Sequence, residues 1–454
     1  MRKHELFIQK MSAAGLDNTA IKAFQYYFDK ILSGESGHLA EPDIQPPDNA
    51  KVIPMTALTE STTANLDKLA VIKLNGGLGT SMGLTRCKSL LPVKKGFTFL
   101  DIIASQILYI RKKTSQKVPL LFMHSFSTQQ DSLKFLEKYP SLPLDDLPLD
   151  FVQNKFPRVR QDTLEPLSLE DDRKNWNPPG HGEIYQVLAQ SGLLDALLKR
   201  GVTYAFISNS DNLGATVEPR ILNYMTDTGT PFLMEVCNRT EMDKKGGHLA
   251  ENADGKLVLR ESAQCPADEV RKFQDIQRYR YFNTNNLWVH LPSLKAQLDV
   301  HDAFLPLSLI KNPKTVDGVD VFQLESAMGA AITLFDDAKA LVVPRERFLP
   351  VKKTNDLLGL WSDAYSLHPD WTLRLASHRI TGPLVALDEV YFKTIDQLTA
   401  HTEKGVPSLK NCASLVVKGD VSFGKNVTIQ GDAVIQSASP VTLENVEISG
   451  IYRM

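Results

Sequence analysis

The chain has 454 residues, 43% of them hydrophobic and 23% charged, which is ordinary usage for a water-soluble protein and more chain than one hydrophobic core usually holds. A formal net charge of −2 gives no global reason to expect nucleic acid or an anionic membrane surface as a partner. The four cysteines (Cys87, Cys237, Cys265 and Cys412) lie far apart without CxxC or CxxH spacing, which argues against a zinc site or a disulfide framework and for a reducing cytoplasm.

The start, "MRKHELFIQKMSAAG", is basic but lacks a continuous apolar stretch, so no signal peptide is expected. No apolar run approaches the ~20 residues of a bilayer span. Further along, Ile21, Phe24, Phe28, Ile31 and Leu32 share one helical face, with Asp17 or Thr19 as the N-cap. "LSGESGHLAEPDIQPPDNAK" follows and reads as a linker or an extended strap. Residues 1–65 are therefore expected to form a helical extension packed on a main domain.

From Leu69 to Leu387 strand-like runs alternate with helical patterns. The strands expected are "KLAVIKL", "VPLLFMHSF", "VTYAFISN", "TPFLMEVC", "KLVLRES" and "NNLWVHL"; the helices include "FLDIIASQILYIRKK" and "GEIYQVLAQSGLLDALLKRG". Apolar strands separated by helices imply an α/β sheet with parallel central strands, whose ligands bind beyond the strands' carboxyl ends. Just past the first strand lies "LNGGLGTSMGLTRCKS", holding Gly76, Gly77, Gly79 and Gly83, with Lys88 in its tail. It is not a P-loop, because Leu84 follows Gly83 where a lysine should stand. Nor is it a dinucleotide fingerprint, because the third glycine, Gly83, comes one residue late. Asp211 ends "VTYAFISN" and should project at the carboxyl edge, where an oxygen ligand suits Mg²⁺ and an Asp also suits a helix cap.

The tail changes rhythm. Leu415, Val421, Val427 and Ala433 are spaced by six, as are Val417, Phe423, Ile429 and Ile435, with Gly419, Gly424 and Gly431 near the corners. This period predicts a left-handed parallel β-helix over 388–454 that serves stacking or oligomer formation; chance-spaced antiparallel hairpins are the alternative.

The string "LNGGLGTSMG" followed by "KSLLPV" closely resembles the signature of the eukaryotic-type UDP-glucose pyrophosphorylase (UTP–glucose-1-phosphate uridylyltransferase) family. Further motifs follow in that family's order: "PPGHGEIY" at 178–185, "FISNSDNLGA" at 206–215, "KGGHLAENADGKLVL" at 245–259, "FNTNNLWV" at 282–289, "FQLESAMGAAI" at 322–332 and "VPRERFLPVKKTNDLL" at 343–358. The resemblance spans roughly residues 65–400. It implies an α/β fold of the nucleotide-diphospho-sugar transferase type, a Rossmann-like mixed sheet with an N-terminal helical extension (1–65), a catalytic domain (66–387) and the C-terminal β-helix (388–454). The implied reaction joins UTP and glucose 1-phosphate into UDP-glucose and pyrophosphate.

The resemblance also implies roles. Leu74, Asn75, Gly76 and Gly77 would pass close to the nucleotide, with the amides of Gly79–Gly83 facing phosphate oxygens as an anion nest. Lys88 and Lys352 would be the two catalytic cations; Lys353 is the neighbour most easily mistaken for Lys352. Gln153 and Gly180 would read uracil, Asn209 would contact the nucleotide, and Asp211 would hold Mg²⁺, the one cofactor implied. His181 would contact glucose 1-phosphate, with Glu235, Asn285 and Asn286 at the sugar hydroxyls. Arg86-Cys87 replaces the small pair usual before the loop lysine, and Cys87 raises the idea of a redox switch. Rival readings are a UDP-N-acetylhexosamine or broad-specificity UDP-sugar pyrophosphorylase, and, from another class, a non-catalytic assembly or sensor protein. The first is disfavoured by Asn75, Leu78, Ser81 and Met82; the last by retention of Lys88, Asp211 and Lys352.

Overall fold

The apolar run after Lys68 folds into strand β2 (Leu69–Asn75), where Leu69 and Val71 enter one core, Ala70 and Ile72 enter the other, and all four are fully buried. A strand buried on both faces belongs at the centre of a covered sheet. In the computed structural model, which describes residues 2–59, 63, 65–144 and 146–454, β2 is that central strand. The boundary expected at residue 65 adjoins residues 60–62 and 64, which lie outside the described residues.

The main sheet comprises β1 (Val52–Pro54), β2, β3 (Leu120–His124), β4 (Asp150–Val152), β5 (Tyr204–Asn209), β6 (Phe232–Asn238), β7 (Tyr281–His290) and β8 (Lys339–Val342), in the order β1-β8-β6-β7-β5-β2-β3-β4. Pairs β5–β2, β2–β3, β3–β4, β6–β8 and β8–β1 are parallel; β7 runs antiparallel to β5 and β6. The carboxyl ends of β2, β3, β4 and β5 therefore share one edge with the amino-terminal half of β7. Between β6 and β7 the register slips at Glu235/Val236, and Asn285 takes up the slack at φ +57°, a left-handed conformation that asparagine tolerates.

Six helices matter here: α1 (Arg2–Ala13), α2 (Asn18–Leu32), α3 (Phe99–Thr114), α4 (Ile184–Gln190), α5 (Leu193–Lys199) and α6 (Thr354–Trp361). Asp17 caps α2, accepting from the Ala20 amide at 2.8 Å, and Thr98 with Asp101 forms a capping box on α3. The pattern "GEIYQVLAQSGLLDALLKRG" yields two helices rather than one, because Gly192 at φ +75° breaks the run between α4 and α5. Helices α1 and α2 pack Phe7, Phe24 and Phe28 against Phe156, Trp176 and Leu324 of the main body. The segment after α2 is a strap in which Ile44–Gln45 pairs with His248–Asn252 and β1 extends the sheet edge.

At the C-terminus lie β9 (Leu384–Ala386), β10 (Ser408–Lys418), β11 (Val421–Phe423), β12 (Val427–Gln436), β13 (Val441–Leu443) and β14 (Val446–Arg453). Their pairings, β9–β10, β10–β12, β12–β14 and β11–β13, are all parallel, which excludes antiparallel hairpins. Chain segments restack after about one coil, with Leu415 beside Ala433 and Val421 beside Val441. The eight aliphatic and aromatic residues at six-residue spacing are all buried. This coil core is continuous with the apolar layer beneath β2 through Leu387, Phe392 and Leu398, so packing runs unbroken across 387/388.

Candidate active site at the carboxyl edge of the sheet

Where β2 ends, the Asn75 side chain turns inward, donating to Ser132 Oγ at 3.0 Å and lying 3.2 Å from His124 Nδ1. It ties the loop to the sheet, so what this position can offer a nucleotide is main chain. The Gly76 carbonyl accepts from Ser125 Oγ (3.0 Å), and the Gly77 carbonyl accepts from the Lys88 amide (3.1 Å), which closes the loop on itself. Gly79 sits at φ +70°, and a Cβ there would approach Leu84 Cδ1 to 2.8 Å. The expected nest is shifted along the chain. The amides of Met82, Gly83 and Leu84 are spent on the carbonyls of Gly79 and Thr80, while those of Gly77 to Ser81 have no hydrogen-bond acceptor among the described residues. Cys87 is packed under the loop, with Sγ 3.0 Å from Ser89 Oγ, and is buried.

Lys88 reaches across to Asp211, Nζ to Oδ2 at 2.5 Å. Asp211 follows Asn209, the last residue of β5, which is in register with Leu74 of β2. The second carboxylate oxygen of Asp211, Oδ1, is buried without a hydrogen-bond donor. An anionic oxygen removed from water and left unpartnered is costly, and it suits a hard cation that takes one carboxylate plus phosphate and water oxygens. The Asp211 carbonyl accepts from the Val351 amide (3.2 Å), which brings Lys352 to the same edge. Lys352 is exposed and makes no ion pair among the described residues, whereas Lys353 is held by Glu389 at 2.6 Å.

Gln153 follows β4, and its Nε2 donates to the Gly180 carbonyl at 2.6 Å. Gly180 has φ +84°, and a Cβ there would lie 2.3 Å from the Ser326 carbonyl oxygen, so no other residue fits. His181 accepts at Nδ1 from the Met328 amide (3.0 Å), which leaves its proton on Nε2; burial pushes its pKa down to about 4. His181 is thus a neutral N–H donor over the physiological range.

Glu235 is wholly buried, bound by Arg347 through Nη2 (2.5 Å) and Nε (2.7 Å), by Trp288 Nε1 (2.8 Å) and by Asn286 Nδ2 (3.0 Å). Asn286, equally buried, also accepts from Asn212 Nδ2 (3.2 Å). A sugar contact by either would have to displace a bond that is already made. Asn285, on the bulge, is only half-buried and accepts at Oδ1 from Asn283 Nδ2 (2.8 Å).

Three supporting residues escaped the sequence reading although each lies inside a motif quoted above. Glu183 accepts from the Asn154 amide (3.0 Å) and Nδ2 (2.8 Å), clamping the Gln153 segment to the Gly180–His181 turn, and burial raises its pKa to about 8. Arg347, besides pairing with Glu235, offers its carbonyl to Asn212 and Asn286 (3.1 and 3.2 Å). Asn212 Oδ1 in turn accepts from the Leu349 amide (2.8 Å), so the segment leading to Lys352 is braced to the loop after β5.

A lysine paired with a carboxylate beside a glycine turn with open amides, and a second lysine-bearing segment tied to the same residue, suit charge stabilisation and positioning, the work of a nucleotidyltransferase on this α/β sheet. The model of the UTP–glucose-1-phosphate uridylyltransferase family matches residues 21–430. The UTP–glucose-1-phosphate uridylyltransferase of Musa acuminata is 43% identical over 424 residues, covering 91% of this chain and 89% of that one. A variant of the Leishmania major UDP-glucose pyrophosphorylase, solved in complex with UDP-glucose, superposes with a TM-score of 0.93 at 40% identity and full coverage of both chains. The Trypanosoma brucei UDP-glucose phosphorylase superposes at 0.90 with 43% identity, again over the whole of both chains. The chain belongs to the UTP–glucose-1-phosphate uridylyltransferase family.

Proposed function

We propose that the protein transfers a uridylyl group from UTP to glucose 1-phosphate. A phosphate oxygen of the sugar phosphate forms a bond to the α-phosphorus of UTP, the bond from that phosphorus to the bridging oxygen breaks in line, and pyrophosphate leaves with the electron pair. No covalent enzyme intermediate is needed. The observation that carries this reading is the convergence of Lys88, Asp211 and the Lys352 segment beside the open glycine turn.

In this reading the free amides of Gly77 to Ser81 meet the triphosphate and Lys88 balances charge at the α- and β-phosphates. Lys352 meets the phosphates joined in the new diphosphate. Gln153 and Gly180, already in contact, present a fixed polar edge to uracil, and cytosine would leave that edge mispaired. Leu74 and Asn209 flank the ribose side. The Nε2–H of His181 donates to the sugar phosphate, Asn285 faces the hydroxyls, and Glu235 with Asn286 braces the floor. Mg²⁺ bound at Asp211 Oδ1 would supply a Lewis-acid charge to the phosphate oxygens.

Finer features fit the same proposal. Parallel stacking with a six-residue period supports a left-handed β-helix, and the division 1–65, 66–387 and 388–454 follows the change in rhythm. Exposed Ile451 on that module favours contact between copies of the chain. Among the described residues no helix is long and apolar enough to cross a membrane. All four cysteines are unpaired, in keeping with a cytoplasmic setting.

The test is pyrophosphate release from UTP and Mg²⁺ with glucose 1-phosphate or N-acetylglucosamine 1-phosphate, for the parent and for Asp211→Asn. Rapid release with glucose 1-phosphate, and a much higher Mg²⁺ requirement in the variant, are expected. Faster release with the N-acetylated substrate would favour the rival enzyme, and no release with either would favour the non-catalytic one.

A further inference from the structure

Lys73 is a buried cation that the proposed chemistry does not use. It lies on β2, two residues before Asn75, facing the α3 side of the sheet. It is 2% exposed, and no carboxylate is within ion-pair distance among the described residues. Its ammonium donates to Ser208 Oγ (2.7 Å) and to the Ala215 carbonyl (2.8 Å) and sits over the Phe206 ring at 5.5 Å. An ammonium has three N–H groups, so one is left over. Beside it is a cavity of about 210 Å³ between α3 and the loop after β5, lined by Val71, Ile103, Ile107 and Pro219. A second lysine, Lys113, stands on its wall with Asp370.

A largely apolar chamber with a buried spare donor at Lys73, and with Lys113 and Asp370 on its wall, has a definite complement. A monoanion satisfies the single N–H, and an apolar body fills the rest; a phosphate dianion would demand several donors and lose its water to a hydrocarbon wall. We propose that this cavity binds a small amphipathic carboxylate, its head on Lys73 and its chain against Val71, Ile103 and Ile107. Occupancy would reach the active edge. Lys73 holds the Ala215 carbonyl, the Thr216 carbonyl next to it accepts from Arg347 Nη2 (3.0 Å), and Arg347 braces the segment carrying Lys352. A head group that draws Lys73 from Ala215 loosens that brace and lowers turnover.

Charge state supports the chemistry. Burial, reinforced by repulsion from Arg347, pushes the Lys73 pKa down to about 7, so an anion would bind with uptake of a proton. The other charged groups facing it are fixed in pairs: Arg347 on Glu235, and Asp370 on Arg374. Lys113 lies over Tyr109.

The probe is octanoate with the full-length protein, compared with 1-octanol and octylamine by calorimetry and by turnover. Octanoate is expected to bind at least tenfold more tightly than octanol and to inhibit without competing with UTP. Lys73→Met should abolish that preference. Ile107→Phe, which fills the cavity, should abolish binding of both compounds and leave basal turnover unchanged, and it decides the matter should Lys73→Met fail to fold. Affinity for octanoate should fall about 30-fold between pH 6 and pH 8.5, as a group titrating near 7 requires. Equal binding of acid and alcohol, binding that survives Ile107→Phe, or no binding at millimolar octanoate would each overturn the proposal.

Discussion

Replacing Lys352 with methionine tests the site at its most specific point, because the structure separates it cleanly from its neighbour. The backbone around Lys352 is tied by bonds that methionine keeps: Val351 N–H to Asp211 (3.2 Å), Leu349 N–H to Asn212 (2.8 Å), and the Lys352 amide to Asp356 Oδ2 (2.7 Å). What the substitution removes is an unpaired ammonium and little else. If that charge acts on the transition state, losing it costs about 2.7–4 kcal/mol, a 10²–10³-fold fall in kcat. Lys353 points to Glu389 with both side chains mostly exposed, at 63% and 71%, so solvent screens the pair and it should add little to stability and nothing to catalysis. Lys353→Met should stay within about threefold of the parent. Initial rates of pyrophosphate release, resolved into kcat and KM for each substrate, distinguish the cases: a lysine that only binds ground-state phosphate raises KM and leaves kcat alone. Similar losses at the two positions, or an effect on KM alone at Lys352, would refute the assignment.

Arg347→Met should leave the buried Glu235 uncompensated, at a cost of about 3–5 kcal/mol seen as a lowered thermal midpoint, and a paired Glu235→Gln/Arg347→Met variant should recover part of it. Glu183→Ala should raise KM for UTP and erode the preference for UTP over CTP while kcat changes little, because it frees the Gln153 segment and not the cations. His181 and His248 are buried with pKa values lowered to about 4 and about 3, mainly by desolvation. The unfolded chain therefore binds protons that the native one refuses, and stability should fall as pH drops from about 6.5 towards 4, by up to about 1.4 kcal/mol per unit for each histidine, readable by denaturant titration. His248→Gln should flatten that fall.

What could be read from the sequence was what is periodic or contiguous. All eight positions picked out by the six-residue spacing point into the C-terminal coil, because the inside of a narrow parallel coil favours apolar side chains at regular intervals. Leu409, Cys412, Leu443 and Ile448, also buried there, fell outside the pattern. The doubly buried β2 announced itself as an apolar run, interrupted at Lys73, that leads through Asn75 into glycines. Features made by contact between distant segments left no such trace. Arg347 and Glu235 are 112 residues apart, and Asn154 and Glu183 are 29 apart, so nothing local marks them as partners. The bulge that buries Asn286 and leaves Asn285 half-buried was hidden for a different reason. Alternation along a strand assigns faces only while the register holds, and it slips beside Glu235. Read as a regular pair, both asparagines and Glu235 looked equally available; folded, the bulge leaves one of the three half-open.

Asp211 shows why the two lysines can cooperate although 264 residues separate Lys88 from Lys352 in the numbering of the chain. One carboxylate oxygen holds the Lys88 ammonium, the main-chain carbonyl holds the segment that carries Lys352, and the remaining oxygen is buried with no donor among the described residues. A single residue thus ties Lys88 and the segment carrying Lys352 together, with one anionic oxygen left beside the Lys88 ammonium. Without substrate, the Lys88–Asp211 pair stores the lysine in place at little net cost, since each charge offsets the other's desolvation. A triphosphate arriving at the glycine turn changes the balance. In the proposed function its oxygens would compete for Lys88, and release of Asp211 Oδ2 would offer a second carboxylate oxygen to a divalent ion. Nucleotide and metal would then bind as one event, and the Mg²⁺ concentration giving half-maximal pyrophosphate release should fall as UTP concentration rises.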